Sequence, residues 1–458
     1  MEDTSAQTIL ETLNSQRVFF ATNQTKDLKY RLDQLRKFKA AVKKFEKPIT
    51  VALWKDLHKS AEEAYLTEIS MVMQDLDNHI RHLKRWAKPK RVPTPFHLLP
   101  SRSRIYYEPL GVALVLAAWN YPFQLLMNPL IGAISSGCCA MLKPSPYTPH
   151  VAGVMEEMIR DTFRPDYVSL VQGSRKVNAI LLEQRFDFIF YTGSPAVGKV
   201  VMRAAAESLT PLVLELGGKS PCIVDQEANL DIAAKKIAWG KTINAGQTCI
   251  APDYLFVHRS VKEELLRKII AHFERTYGQD VHKSPWYPRI VSHSALERLQ
   301  KLLLHGTIIY GGRVEHADRY MAPTLIDDIQ PDFPIMQEEI FGPILPVLTF
   351  DSIEEVYAYV NSREKPLALY YFGNPTRGRE VLAHTTSGGG CINDVLLHIA
   401  NHHLPYGGVG NSGLGHYHGH HSFLAFSNSR SYVLSPTWFD LPVKYVPFKG
   451  FRWVKKII

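Results

Sequence analysis

Apolar residues recur with a helical period in some stretches of this chain and form short continuous runs in others. Residues 26–47 carry an apolar residue every three or four positions, with lysines and arginines between, which predicts an amphipathic helix. A second helical pattern covers residues 59–86. The run 111–118 is apolar throughout, as expected for a parallel strand buried on both faces. Further apolar runs and helical stretches alternate at 133–142, 151–162, 168–172, 177–182, 186–191, 220–224, 231–243, 254–258, 262–277, 295–304, 345–350 and 353–361.

This alternation of strands and helices is typical of an α/β protein with doubly wound parallel sheets. A chain of 458 residues is long enough for about three domains. Proline and charge at 88–91 interrupt the second helical pattern, and the segment 92–107 is rich in proline and has no period. That segment is either a connector or an extended arm that reaches a partner subunit.

The composition is that of an ordinary globular protein and does not by itself indicate a function. Hydrophobic residues make up 45% of the chain, which is ordinary for a globular protein with a large core. The net charge of +9 is mild at this length and fits polyanionic partners, anionic cofactors or solubility alone. The five cysteines have no CxxC spacing, and residues 1–5 lack the basic start of a signal peptide. With no apolar run long enough to span a bilayer, we expect a cytoplasmic protein with reduced thiols.

Cys249 is the candidate nucleophile. It lies in the segment 246–252, between a predicted helix at 231–243 and a predicted buried strand that begins at Tyr254. A loop of small residues held between two rigid elements is a common place for a catalytic group. An unpaired thiol is more often an inert part of the core. Whether Cys249 is a nucleophile therefore depends on the other residues near it in the fold.

Two polar side chains follow apolar runs in the way that active-site residues follow buried strands. Asn120 comes after the run 110–118, and Glu215 lies at the end of the run 212–216, before two glycines. The simpler interpretations are a turn-forming asparagine before Pro122 and a strand-end carboxylate neutralised by Lys219. The functional interpretation is that Glu215 places a carboxylate at the end of one buried strand and that Asn120 places an amide donor at the end of a second.

Six motifs occur in order along the chain, namely Trp119-Asn120-Tyr121-Pro122, Leu142-Lys143-Pro144-Ser145, Tyr191-Thr192-Gly193-Ser194 with Gly198, Glu215-Leu216-Gly217-Gly218-Lys219, Gly246-Gln247-Thr248-Cys249 and Glu339-Ile340-Phe341-Gly342-Pro343. Together these motifs resemble the aldehyde dehydrogenase superfamily over nearly the whole chain. The details Cys249-Ile250-Ala251-Pro252-Asp253-Tyr254 and 405–413 resemble its class 3 and fatty aldehyde branch.

The resemblance implies two doubly wound domains and a small oligomerisation arm. Residues 1–83 and 106–213 would form the NAD(P)-binding domain, and residues 214–398 the catalytic domain that carries the cysteine. Residues 84–105 and 399–458 would form the arm and a C-terminal tail. Class 3 relatives are dimers, so a homodimer is expected.

The dinucleotide should bind where a strand meets a helix. Gly193, Ser194 and Gly198 follow the apolar strand 188–191 and open the predicted helix 199–207, so backbone amides there can hold a pyrophosphate. By spacing alone, a tight turn is an equal alternative. The match to GxGxxG at 408–413 has no long strand before it, so we interpret it as a turn.

The resemblance also assigns roles around the cofactor, which is NAD or NADP. Lys143 contacts the adenosine ribose, and Pro146 stands where many members carry an acidic residue for the ribose hydroxyls. Without that carboxylate a 2′-phosphate is not repelled, so NADP should be tolerated. Glu339 holds the nicotinamide ribose or shares the base role. The remaining cofactor-binding residues are Trp119 and Phe341.

The implied chemistry is oxidation of an aldehyde, medium to long aliphatic or aromatic, to a carboxylic acid. Cys249 attacks the carbonyl, with its pKa lowered by local amides or a nearby lysine. The side-chain amide of Asn120 and the backbone N–H of Cys249 hold the oxyanion, and Glu215 activates the water that hydrolyses the thioester. Relatives that transfer the acyl group to coenzyme A generally lack this glutamate.

The C-terminal region carries two further patterns. Histidines at 398–421 have no defined ligand geometry, so we predict no metal site. The tail 438–458 mixes aromatic with basic residues, so it either touches a membrane surface or packs on the body of the protein. An alternative function is a membrane- or nucleic-acid-associated binding protein on an idle dehydrogenase fold, although we expect no nucleic-acid partner because recognition motifs are absent.

Overall fold

The computed structural model describes residues 3–457, which contain two mostly parallel sheets and a small antiparallel sheet. Helices lie against both parallel sheets, and apolar side chains from the sheets and helices fill the interior between them. The expected doubly wound α/β architecture is therefore confirmed.

The first sheet has six strands, of which five are parallel and the short Gly413–Leu414 is antiparallel. The chain enters the sheet at its middle and reverses direction between Val112–Leu116 and Phe188–Thr192, which is the topological switch point of a dinucleotide-binding fold. The strands in spatial order are Gly413–Leu414, Leu212–Glu215, Phe188–Thr192, Val112–Leu116, Cys139–Lys143 and Val168–Leu170. The helices of this half are Ala6–Ala21, Leu28–Leu57, Ala61–Ala64, Ser70–Trp86, Gln124–Ser136, Pro149–Thr162, Arg175–Leu182 and Pro195–Glu207.

The second sheet has seven strands, with an antiparallel one at its edge. In spatial order they are Thr307–Tyr310, Thr324–Asp327, Ile344–Phe350, Tyr254–His258, Pro221–Val224, Ala368–Phe372 and Gly389–Ile392. Its helices are Leu230–Thr242, Lys262–Tyr277, His293–Leu302, Pro334–Gln337, Ile353–Asn361 and Pro375–His384.

The proline-rich segment takes part in a third sheet. Its strand Arg102–Pro109 pairs with Lys90–Val92 on one side and with Ser427–Leu434 on the other, both antiparallel. Ser427–Leu434 lies at the edge of this sheet and is largely exposed. Two short helices, His420–Ala425 and Phe451–Ile457, flank it along the chain, and Val314–Glu315 pairs with Tyr320–Met321 elsewhere.

Three local predictions differ from the structure. The first long helix continues to Leu57 through Pro48, because Ile49, Leu53 and Leu57 extend its buried face. The pattern 59–86 is divided by a π-helical turn, Tyr65–Ile69. The predicted element 133–142 is divided in two, because Gly137 adopts φ 99° and ends helix Gln124–Ser136 before the strand Cys139–Lys143; Cys138 and Cys139 are both buried.

Candidate active site

The carboxyl ends of the parallel strands in the first sheet bring the predicted side chains to one edge. Glu215 is the last residue of its strand and pairs in register with Thr192, directly before Gly193 and Ser194. Asn120 follows the strand Val112–Leu116, which pairs with Phe188–Thr192 on the side away from the Glu215 strand. These residues therefore flank the switch point of the sheet, where ligands of open α/β folds bind.

The loop before Cys249 is held in an unusual backbone conformation. Asn244 and Ala245 have φ 50° and Gly246 has φ 70°, in the left-handed region. A side chain at position 246 would meet the carbonyl oxygen of Gly342 at 2.3 Å, so glycine is required there. The Gln247 side chain donates to Arg289 O at 3.0 Å and accepts from the N–H of Val291 at 2.9 Å. This buried network fixes the position of the thiol.

Cys249 lies in the wall of a largely apolar cavity of about 700 Å³. The other two predicted catalytic residues, Asn120 and Glu215, line the same cavity. So do five of the predicted cofactor residues, namely Trp119, Gly193, Ser194, Glu339 and Phe341. Lys143 and Gly198 do not line it.

Asn120 is buried and bonded at both ends. Its side-chain amide donates to Gln247 O at 3.1 Å, and its backbone carbonyl accepts from Asn244 Nδ2 at 2.8 Å. The same carbonyl accepts from Lys59 Nζ at 2.9 Å. One N–H of the side-chain amide is thus used to fix its orientation, which leaves the second as a donor for the cavity.

A buried ion pair stands behind Asn120, and sequence reasoning missed it. Lys59 Nζ lies 2.6 Å from Glu68 Oε1, and both side chains are fully buried. Glu68 Oε2 accepts from the backbone N–H groups of Phe123 and Gln124 at 2.8 and 3.2 Å. The pair therefore holds the backbone on both sides of the turn that carries Asn120. Its sequence signal was weak, because charges nine residues apart in a helical pattern usually face solvent.

Both predicted glutamates have raised pKa values. Burial raises the pKa of Glu215 well above its usual range, and neither of its carboxyl oxygens has a hydrogen-bond partner. Burial, with the charge of Asp253, raises the pKa of Glu339 to about 8. An added side chain at Gly217 would meet Glu339 Oε2 at 2.0 Å, so the glycine allows this carboxylate to lie close to the backbone.

The prediction that the thiol has a lowered pKa is wrong. Burial raises the pKa of Cys249 to about 12, and the negative charges of Glu339 and Glu215 act in the same direction. The hydroxyl of Tyr406, 3.6 Å from Sγ, and the backbone N–H of Cys249 oppose the rise but do not overcome it. The loop of small residues before Cys249 gave no sign of how completely the fold would desolvate the sulfur.

The predicted cofactor residues can accommodate a dinucleotide. Helix Pro195–Glu207 begins at Ser194, whose side chain caps none of the first amides, so these N–H groups can receive an anion. A second cavity of about 1140 Å³ shares Ser194 and Glu339 with the first. Glu339 Oε1 is buried without a hydrogen-bond partner, as expected of a group that awaits a ligand.

Lys143 and Gly198 have other neighbours in the structure. Lys143 is the last residue of its strand and donates to Pro144 O at 2.8 Å, while burial lowers its pKa to about 8. A side chain at Gly198 would meet Leu216 at 2.7 Å, so this glycine allows close packing of helix Pro195–Glu207 on the chain after Glu215.

The GxGxxG match at 408–413 is a turn, as predicted. A single 3₁₀ turn, Gly410–Ser412, leads into Gly413–Leu414, which pairs with the strand that ends at Glu215. The N–H of Leu216 donates to Ser412 O at 3.1 Å. This segment therefore supports the end of the Glu215 strand.

Comparison with known proteins identifies the class of protein that has this fold and this cavity. The model of the aldehyde dehydrogenase family matches residues 2–432. The 4,4'-diaponeurosporen-aldehyde dehydrogenase of Staphylococcus aureus is 45% identical over 96% of this chain and 96% of its own length. The dimeric NADP-preferring aldehyde dehydrogenase of Canis lupus familiaris is 41% identical over 96% and 98%.

The solved structures agree with the sequence relatives. A structure of Staphylococcus aureus AldH in a substrate-bound state superimposes with a TM-score of 0.96 at 44% identity, covering 98% of this chain and 99% of that one. The chain therefore belongs to the aldehyde dehydrogenase family. It is an aldehyde dehydrogenase, with the class 3 resemblance confirmed by its relatives, and it uses NAD or NADP.

Within the described residues 3–457, the C-terminal region included, no group of three or more potential ligands could hold a metal ion. Within the same range, no helix has the length and apolar character needed to cross a bilayer. The tail carries exposed aromatic residues, of which Trp438 is 79% and Phe451 58% exposed. The family match ends before this tail.

Proposed function

We propose that this enzyme oxidises apolar aldehydes to carboxylic acids through a covalent intermediate on Cys249. The observation that carries the proposal is the shared cavity, in which Cys249, Asn120 and Glu215 surround one space at the switch point of the first sheet. Medium to long aliphatic or aromatic aldehydes fit best, because apolar side chains such as Leu66, Met71 and Trp239 line the remainder of the cavity.

In the first half of the reaction, Cys249 releases its thiol proton to water in the cavity, and the resulting thiolate attacks the carbonyl carbon and forms a thiohemiacetal. The free N–H of the Asn120 side chain and the backbone N–H of Cys249 donate to the developing oxyanion, and both are held by the network described above. Bound NAD or NADP supplies the acceptor for the hydride that leaves the substrate carbon. This loss of hydride leaves a thioester on Cys249.

In the second half, Glu215 removes a proton from the water that attacks the thioester. The high pKa of Glu215 makes it a strong base once it is ionised, and its unpartnered oxygens are free to hold the water. Glu339 is assigned to the nicotinamide ribose, with Trp119, Phe341 and Ser194 in the cofactor site. Lys143 would contact the adenosine ribose from the end of its own strand.

The test is an aldehyde panel run with both cofactors on the native enzyme and on Cys249→Ala. We expect reduced cofactor to form with native protein and medium-chain aldehydes, and Cys249→Ala to be inactive. Equal rates for the two proteins would refute the proposal. Because Pro146 places no carboxylate near the ribose, we expect turnover with NADP as well as NAD.

We also propose a cytoplasmic homodimer. The five cysteines are free thiols, which fits a reducing compartment. The edge strand Ser427–Leu434 exposes Val433 and Leu434 and can add to a second copy of the sheet. Light scattering should give the mass of a dimer, and a charged residue at Val433 should reduce it to that of a monomer. An unchanged mass would exclude this edge from the interface.

The exposed tail favours a second property, peripheral contact with a membrane surface. Trp438, Phe448 and Phe451 are exposed beside basic residues such as Lys444 and Lys449, a combination that suits an anionic lipid interface. Binding to anionic vesicles should weaken in a chain that ends at residue 435. If the shortened chain bound equally well, the tail would have no such role.

A further inference from the structure

Tyr406 occupies a defined place beside the thiol. Its backbone forms an antiparallel bridge with Tyr417, with N···O distances of 3.1 and 2.8 Å. Its ring is stacked on His418, with 5.1 Å between centroids, and on His398, with 5.9 Å between centroids. The residue is only 5% exposed. The ring therefore cannot turn away from the cavity without losing both stacked neighbours.

This packing aims the hydroxyl at the sulfur. Tyr406 Oη lies 3.6 Å from Cys249 Sγ, within hydrogen-bond range for sulfur. Within residues 3–457, no other side chain is hydrogen-bonded to Sγ. We propose that Tyr406 is a further catalytic residue, whose O–H donates a hydrogen bond to the thiolate of Cys249. The inference rests on the proposed role of Cys249 as the nucleophile.

The direction of the hydrogen bond follows from the surroundings of the phenol. Burial, together with the charges of Cys249 and Glu215, raises the pKa of Tyr406 well above its usual range. The phenol thus keeps its proton throughout the working pH range and serves as a donor. A thiolate is the better acceptor of the two forms of the thiol, so the bond favours ionisation of Cys249.

The same hydrogen bond is useful at both ends of the reaction. Before attack it stabilises the thiolate that forms the new carbon–sulfur bond. During deacylation, water adds to the thioester carbonyl with loss of a proton to Glu215, and the carbon–sulfur bond then breaks with both electrons remaining on sulfur. Tyr406 donates to that leaving thiolate. Its own proton is never transferred.

The test measures the thiol directly, without substrate or cofactor. Iodoacetamide alkylation of Cys249 is followed by mass spectrometry of its peptide across a pH series, in native protein and in Tyr406→Phe. Phenylalanine keeps the ring that stacks with His398 and His418 and removes only the hydroxyl. We expect the alkylation rate at a fixed pH near 8 to fall about ten- to hundredfold, the change expected for losing a hydrogen bond to a charged group.

Tyr417→Phe is the matched control. It removes a hydroxyl from the same cavity wall that is not bonded to Sγ, so we expect its alkylation profile to follow that of native protein. Equal shifts in the two variants would mean that general cavity polarity acts on the thiol, which would overturn the inference. An unfolded Tyr406→Phe variant would overturn it too, since the hydroxyl would then be needed for the fold.

The outcomes separate this inference from the proposed function. If Tyr406→Phe has the alkylation profile of native protein while Cys249→Ala is inactive, Tyr406 has no role at the sulfur and the nucleophile stands. If Cys249→Ala still oxidises aldehydes, the proposed function fails whatever the alkylation profile. A shifted profile together with a lower kcat and an unchanged melting temperature supports both.

Discussion

Replacing Lys59 with methionine should affect stability and catalysis together. Lys59 is fully buried and lies 2.6 Å from the equally buried Glu68, and it also donates to the backbone carbonyl of Asn120 at 2.9 Å. Lys59→Met keeps most of the side-chain volume, but it leaves the Glu68 carboxylate without its counter-charge. The carbonyl of Asn120 loses one of its two donors in the same step.

The expected loss of stability follows from the surroundings of Glu68. Removing one partner of a buried ion pair costs about 3–5 kcal/mol. Glu68 still accepts from the N–H groups of Phe123 and Gln124, so we expect the lower end, about 3 kcal/mol. We also expect kcat to fall, because the turn that carries Asn120 is then less firmly held.

Urea unfolding and steady-state aldehyde oxidation are the two assays. Lys39→Met is the matched control, since Lys39 pairs with Asp77 at the surface, where a pair is worth at most about 1 kcal/mol. The double variant Lys59→Met/Glu68→Gln should regain most of the stability but not the full kcat, since the buried charge is gone while the carbonyl still lacks its lysine. If Lys59→Met is no less stable than Lys39→Met, the reasoning is refuted.

Three further predictions concern the cavity. Asn120→Ala should lower kcat/KM about 10²- to 10³-fold, or roughly 3 kcal/mol, without changing the alkylation of Cys249; a loss below tenfold would remove Asn120 from the oxyanion site. Glu215→Gln should slow hydrolysis of the thioester, seen as a burst of reduced cofactor followed by a slow phase, whereas full steady-state turnover would exclude Glu215 as the base. The pKa of Glu339 is raised from 4.5 to about 8 in the folded protein. Between these pH values the unfolded chain has lost a proton that the folded protein still holds, so stability falls as pH rises across that range. Glu339→Gln should therefore be increasingly stabilising, relative to native protein, from about pH 4.5 to about pH 8 in thermal melts, and a constant difference would contradict the pKa.

The sequence was most informative where function coincides with the end of a buried strand. Asn120 follows one apolar run and Glu215 lies at the end of another, and the carboxyl ends of parallel strands in one sheet meet at one edge. Helix bounds were also predictable where the apolar period was long, as in Lys262–Tyr277. The catalytic roles assigned to Asn120 and Glu215 remain predictions until the variants above are measured.

What the sequence could not provide depended on burial that only the packed fold creates. Lys59 and Glu68 look like solvated charges until the chain around them packs against the turn of Asn120. The strand Ala368–Phe372 was missed, because a short apolar run has no length or period to distinguish strand from helix. The predicted shift of the thiol pKa had the wrong direction for the same reason, since desolvation of Cys249 is a property of the assembled cavity.

The central claim is that the acyl group is carried by one sulfur. Glu215→Gln, mixed with a medium-chain aldehyde and NAD or NADP and quenched with acid within the burst, should carry the acyl group on the peptide that contains Cys249. Mass spectrometry of the digested protein measures this directly. An acyl group on another residue, or continued turnover with Cys249 unmodified throughout, would contradict the account.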